Sequence, residues 1–167
     1  MTEPLLLTRR LSPGSGAGEP LRLPLGADER TRLRGLRHSL CGRSLLLQLP
    51  RGEALAPGEL LGDDEGVARV LVEAAAEPLL VVRAADALEL LRAAYHLGNR
   101  HVALEVREGE LRLLEDPVLA SLLEHRGLVV ERRHEPFQPE AGAYASGHGH
   151  AEPRAHHHAH HFGSPHA

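Results

Sequence analysis

Apolar positions in the first half of the chain fall in short runs cut by turn formers. Up to about residue 75 these runs are of strand length, Leu45 to Leu49 and Val67 to Val72 among them. Pro13-Gly14, Pro24, Gly26, Gly42, Pro50, Pro57-Gly58, Gly62 and Gly66 punctuate them. That spacing predicts a small all-β unit over 1–75. The period then changes. Leu79 to Val82 reads as a buried strand, and Asp86 stands where the cap of a helix to about Leu97 belongs, with Leu88, Leu91 and Tyr95 stepping along one face. Gly98 occupies the usual left-handed position after such a helix, with Asn99 also tolerant there. His101 to Val106 alternates as a strand and turns at Glu108-Gly109 into a partner over Leu111 to Leu114. Asp116 and Pro117 open a second helix ending near Arg126-Gly127, and Leu128 to Arg132 forms a last strand. The order over 76–137 is that of a ferredoxin-like βαββαβ sandwich, so the expected class is α+β. Residues 138–167 turn rich in Pro, Gly, Ala, Ser and His, a composition that cannot bury enough apolar surface to offset its ordering entropy. This tail is expected to be disordered without metal.

Composition narrows the function. Trp is absent, and Tyr95, Phe137, Tyr144 and Phe162 are the only aromatic residues, too few for base-stacking platforms. All nineteen basic residues are Arg, yet the formal charge is -4, which argues against nucleic acid as a partner. Over 1–75 acids and arginines cancel, leaving no obvious electrostatic target. No apolar stretch reaches about 18 residues, so no membrane span is expected. The N-terminus lacks the basic and apolar regions of a signal peptide, and the expected address is cytoplasmic. A lone Cys41 excludes cysteine-rich zinc or iron–sulfur sites and reads as a small, partly buried residue.

Enzyme signatures are missing. There is no HExxH, no nucleophile elbow and no Walker-type loop, and no Lys at all. The acidic trio Asp63, Asp64 and Glu65 reads as a solvated turn. His38 and His134 have no visible partner, and His125 suits a helix C-terminus. What stands out is histidine. Eight of the thirteen lie in the last twenty residues: His148, His150, His156, His157, His158, His160, His161 and His166. The run is broken by Ala159, unlike an expression tag. Neutral imidazole is the commonest protein ligand for borderline divalent metals, and many imidazoles on a flexible segment bind exchangeably. Such a tail suits capture and hand-over of metal, not catalysis, which needs a fixed second shell. His96 and His101 flank the expected helix-to-strand turn. They could approach one ion if the turn folds them together, or each could be a half-exposed structural histidine.

The segments AAYHLGNRHVALEV, GELRLL and EPFQPEAGAYASGHGH, with the histidine tail, resemble the UreE family of urease accessory proteins across most of residues 76–150. The resemblance implies a nickel metallochaperone that works as a homodimer. It would pass Ni(II) to the urease apoprotein with the accessory GTPase UreG; Cu(II) or Zn(II) in vitro is expected from the general affinity of imidazole for these ions. The resemblance also implies an N-terminal partner-binding β domain and a metal-binding, dimerising domain before the tail. The histidine closing GNRH, here His101, would be the central ligand, shared across the two-fold axis. Tail histidines, His148 and His150 foremost, would complete or feed the site. His96 is not part of the family motif. Where some members carry extra histidines after the GELR hairpin, this chain has Leu113, Leu114, Glu115 and Asp116. Binding is expected to weaken below about pH 6.5, where free imidazole protonates. The competing expectation is a histidine-tail buffer for nickel, copper or zinc without a client.

Overall fold

Alternating burial builds two sheets in the first half of the computed structural model, which describes residues 3–16, 18–66 and 68–141. Strands β1 (Leu5–Leu7), β2 (Arg9–Leu11), β3 (Leu21–Leu25), β4 (Arg34–His38), β5 (Ser44–Gln48), β6 (Leu60–Gly62) and β7 (Arg69–Ala74) fall into a three-stranded sheet of order β1-β5-β4 and a four-stranded sheet of order β2-β6-β7-β3. Every second residue of the longer strands points inward. Leu23, Leu25, Leu45, Leu47, Val70 and Val72 are almost wholly removed from solvent and share one core with Leu7, Leu49 and Leu61. Each such side chain contributes about 1.5–3 kcal/mol. Pro24, which cannot donate to a ladder, lies in an edge strand.

The first 75 residues are not all β. A five-residue helix, α1 (Ala27–Thr31), interrupts them. Its free amides are satisfied partly from far along the chain: Glu29 accepts from the Gly26 amide at 3.0 Å, and Glu77 accepts from the Ala27 amide at 2.8 Å. Arg30 is 5% exposed. Its guanidinium donates to the Leu25 carbonyl at 3.0 Å and to the Phe137 carbonyl at 2.7 Å, tying the first half to the end of the second.

The second half alternates strands and helices in the order expected: β8 (Ala76–Arg83), α2 (Ala87–Gly98), β9 (Glu105–Arg107), β10 (Glu110–Leu114), α3 (Pro117–His125) and β11 (Val129–Pro136). The sheet order is β11-β8-β10-β9, with each neighbouring pair antiparallel. Leu80 and Val82 of β8, Leu111 and Leu113 of β10, Ala93 and Leu97 of α2, and Ala120 and Leu123 of α3 form its core, so both helices pack on one face of the sheet. The opposite face carries a charge ladder in which Arg112 reaches Glu110 at 2.6 Å and Glu135 at 2.8 Å, while Arg83 reaches Glu110 at 2.7 Å and Glu131 at 3.0 Å. Burial pushes the Glu110 carboxyl up, but the hydrogen bonds and charges of Arg112 and Arg83 outweigh it and hold it below the usual carboxylate range.

Both helix starts follow the sequence. Asp86 accepts from the Glu89 amide at 2.9 Å, and Asp116 accepts from Val118 at 2.7 Å and Leu119 at 3.0 Å. One expectation about α2 inverts. Leu88, Leu91 and Tyr95 are 55, 66 and 67% exposed. The face that packs is Leu90, Ala93, Ala94 and Leu97, because small residues let the helix approach the sheet closely. Among the described residues, no helix is long and apolar enough to cross a membrane.

Candidate metal centre

The turn after α2 positions His101. The Val102 amide donates to the Leu97 carbonyl at 3.2 Å, and the His101 amide donates to the Gly98 carbonyl at 2.9 Å. This pair of bonds is the Schellman ending of a helix, whose left-handed residue follows the cap. Here that residue is His101, at φ 57°, the one non-glycine with positive φ among the described residues. Gly98 is instead the last helical residue, and Asn99 is right-handed at φ -62°. Val102 packs against the core that contains Leu97, and this apolar contact sets where the motif closes. His101 therefore lies in a turn and not in a strand; β9 begins at Glu105. Its side chain is exposed.

His96 is half-buried in the last turn of α2. Its ring meets Tyr95 edge-on, with centroids 5.6 Å apart and planes at 70°. Among the described residues no three His, Cys, Asp or Glu side chains gather to hold an ion. The candidate ligands His148, His150, His156, His157, His158, His160 and His161 lie outside the described residues, as does the expected disorder of the tail.

The segment that leads into the tail was not foreseen as a structural element. After β11, Phe137 is fully buried. The Gln138 amide donates to the Glu105 carboxylate at 2.9 Å, and the Glu140 amide donates to the Leu104 carbonyl at 2.7 Å. This strap returns the chain to within three residues of His101 along the sequence. The signal was present in EPFQPE: an isolated aromatic between prolines in an otherwise polar stretch.

Toward the start of α2, its exposed apolar face continues into a cavity of about 380 Å³ against the β9–β10 hairpin. Leu90, Leu91, Ala94, Val106 and Leu111 line it. The remaining histidines stand apart. His125 Nδ1 donates to the Ser121 carbonyl at 2.7 Å in the last turn of α3, His134 lies opposite Pro78, and His38 lies opposite Ser44. Cys41 is exposed, correcting the expectation of partial burial. Its thiol is held below the ordinary value by the Ser39 hydroxyl first, then by backbone amides and the Arg43 charge. The acidic trio forms a turn: Asp63 accepts from the Ala68 amide at 3.2 Å, and Asp64 accepts from the Thr8 hydroxyl.

Comparison with known proteins identifies relatives of this arrangement. Residues 77–166 match the family model of the UreE urease accessory protein, C-terminal domain. The urease accessory protein UreE of Parasynechococcus marenigrum (strain WH8102) is 58% identical over 146 residues, 87% of this chain and 96% of the relative. Proteins of the same name in Synechococcus sp. strains WH7805 and CC9311 are 59 and 56% identical. They align over 78 and 82% of this chain and 75 and 88% of their own lengths.

Proposed function

The chain belongs to the UreE family of urease accessory proteins, and from that membership we propose that it is a nickel carrier for urease maturation, with His101 as its central ligand. Nickel is cargo here, not a resident cofactor. The observation that carries the reading is the backbone of His101. A non-glycine residue at φ 57° costs roughly 1–2 kcal/mol, and strain of this kind concentrates at functional sites. The left-handed turn holds an exposed imidazole at the end of α2, next to an apolar face that a second copy could cover. One histidine per chain becomes a pair across a two-fold axis.

Two further features support the proposal. The bond from Glu140 to Leu104 brings the root of the tail beside this turn. From Glu140 to His148 the chain can span about 26 Å when extended, so tail imidazoles can reach an ion at His101. Exposed nitrogen ligands also allow release, as a carrier requires. On this reading residues 76–137 form a ferredoxin-like, metal-binding and dimerising domain, residues 1–75 a partner-binding domain, and residues 138–167 a flexible metal-collecting tail. The protein acts in the cytoplasm as a homodimer with UreG and the urease apoprotein complex, and performs no catalysis itself.

Nickel titration by calorimetry tests the proposal on the full chain, on a chain ending at Tyr144, and on that shorter chain carrying His101→Ala. The shorter chain retains all the described residues. One ion per two chains, abolished by His101→Ala, is the expected result. Loss of all binding on truncation, with no effect of His101→Ala, would leave a histidine-tail buffer in its place.

A further inference from the structure

The charges that cancel over residues 1–75 are segregated in space. Between Glu29 and Glu53 the chain holds Arg30, Arg32, Arg34, Arg37, Arg43 and Arg51 and no carboxylate. Arg30 is buried on carbonyls, and Arg32 pairs with Asp28. Arg34, Arg37, Arg43 and Arg51 have no ion pair among the described residues, whereas in the second half six of the eight described arginines are paired, Arg100 and Arg126 being the exceptions. Of these unpaired arginines, Arg34 and Arg37 lie on β4, Arg43 in the connection between β4 and β5, and Arg51 just beyond β5.

The same strands carry an apolar row. Leu6 and Leu36 both stand opposite Leu46, so three leucines cross the outer face of the three-stranded sheet. Leu6 is 40% and Leu36 is 52% exposed, in contrast to Leu45 and Leu47 beneath them, which are fully buried.

Strand β4 is the edge of this sheet. The Leu49 amide donates to the Leu33 carbonyl at 3.1 Å, and the Ser39 amide donates to the Arg43 carbonyl at 3.0 Å. Antiparallel ladders alternate, so Arg34, Leu36 and His38 present their backbone amides and carbonyls outward. The Arg37 guanidinium bends over this edge and donates to the Leu36 carbonyl at 2.8 Å. Its buried Nε has no partner.

The geometry points to β4 as a docking edge for an extended, acidic segment of a partner protein, added as a fourth strand. An incoming strand supplies the backbone groups that Arg34, Leu36 and His38 lack. Alternate apolar side chains extend the Leu6–Leu46–Leu36 row, and the intervening carboxylates meet Arg37, which swings from the Leu36 carbonyl to a bidentate partner. Arginines on an edge also deter association between copies of the same chain, but protection alone does not call for a leucine row. Single-stranded nucleic acid would need aromatic faces for stacking, and residues 30–52 contain none. The docking edge rests on the partner-binding reading of residues 1–75 and is independent of the metal site.

The test titrates the isotope-labelled full chain with an end-capped peptide of alternating valine and glutamate. Parallel titrations use its valine–lysine counterpart, a copy N-methylated on alternate residues, and a single-stranded oligothymidine. Amide shifts confined to β1, β4 and β5, absent with the lysine and N-methylated peptides, are the expected result. The double variant Arg34→Glu, Arg37→Glu should weaken the acidic peptide by about tenfold or more, with its own spectrum and nickel stoichiometry unchanged. Leu36→Glu, at an exposed position, should do the same. No shift at millimolar peptide, equal binding of the lysine peptide, or tighter binding of the oligonucleotide would overturn the docking edge. Each of those outcomes leaves the nickel proposal to its own titration.

Discussion

His101 and Gly127 occupy the same position in two copies of one helix-ending turn. After α3, the Leu128 amide donates to the Leu123 carbonyl at 3.2 Å and the Gly127 amide to the Glu124 carbonyl at 2.9 Å, the same pair of bonds that closes α2. Gly127 takes φ 78° without steric cost, and His101 takes φ 57° despite its side chain. His101→Gly should therefore raise stability to urea by about 0.5–1 kcal/mol while removing the proposed ligand. The reciprocal change tests the reasoning, since a Cβ at Gly127 would meet nothing within 4 Å. Gly127→Ala should cost about 1 kcal/mol for purely conformational reasons. A His101→Gly chain less stable than wild type would remove the strain argument.

Arg112 is 6% exposed and joins two carboxylates of the charge ladder. Arg112→Ala should destabilise by about 2–3 kcal/mol, less than a fully isolated buried pair because Glu110 retains Arg83. The pH dependence follows from the depressed carboxyls. Glu110 is lowered in the folded state by Arg112 and Arg83 against its burial, and Glu131 chiefly by its hydrogen bond from Arg133. Their contribution is complete above the unfolded value of about 4.3 and is lost as pH falls through the lower folded values. Urea midpoints followed from pH 6 downward should decline less steeply in Glu110→Gln than in wild type over that acid range.

Arg30 links the Leu25 and Phe137 carbonyls across the seam between the halves. Arg30→Ala would leave the buried Phe137 carbonyl without this donor and open a cavity beneath α1. A loss of about 2–3 kcal/mol is expected. Amide exchange should show residues 137–140 opening before the sheet. Uniform exchange of the whole chain would assign Arg30 to global stability alone.

The exposed face of α2 bears on the oligomeric state. Leu91 is 66% exposed and lines the apolar cavity beside the β9–β10 hairpin, so Leu91→Asp should fold normally. On the proposed homodimer, sedimentation should show dimers for the unaltered chain and monomers for Leu91→Asp. If Leu91→Asp remains dimeric, the two-fold contact lies on another face.

Local chemistry made much of this protein legible from its residues. Asp86 and Asp116-Pro117 start helices because a carboxylate that accepts nearby amides acts within one turn. Leu45 to Leu49 and Leu111 to Leu114 read as strands because every second position faces a core. The GNRH and PFQPE segments and the histidine-rich tail pointed to a family that the comparisons bear out. What could not be read depends on partners distant in sequence. Helix α1 has an amide held by Glu77, fifty positions away from it. Leu88, Leu91 and Tyr95 have a helical period whichever way the helix faces, and only the sheet's demand for close-packing alanines turned them outward. Where the α2 turn closes was decided by Val102 reaching the Leu97 core, and that contact forces His101 into the left-handed conformation that sets it apart.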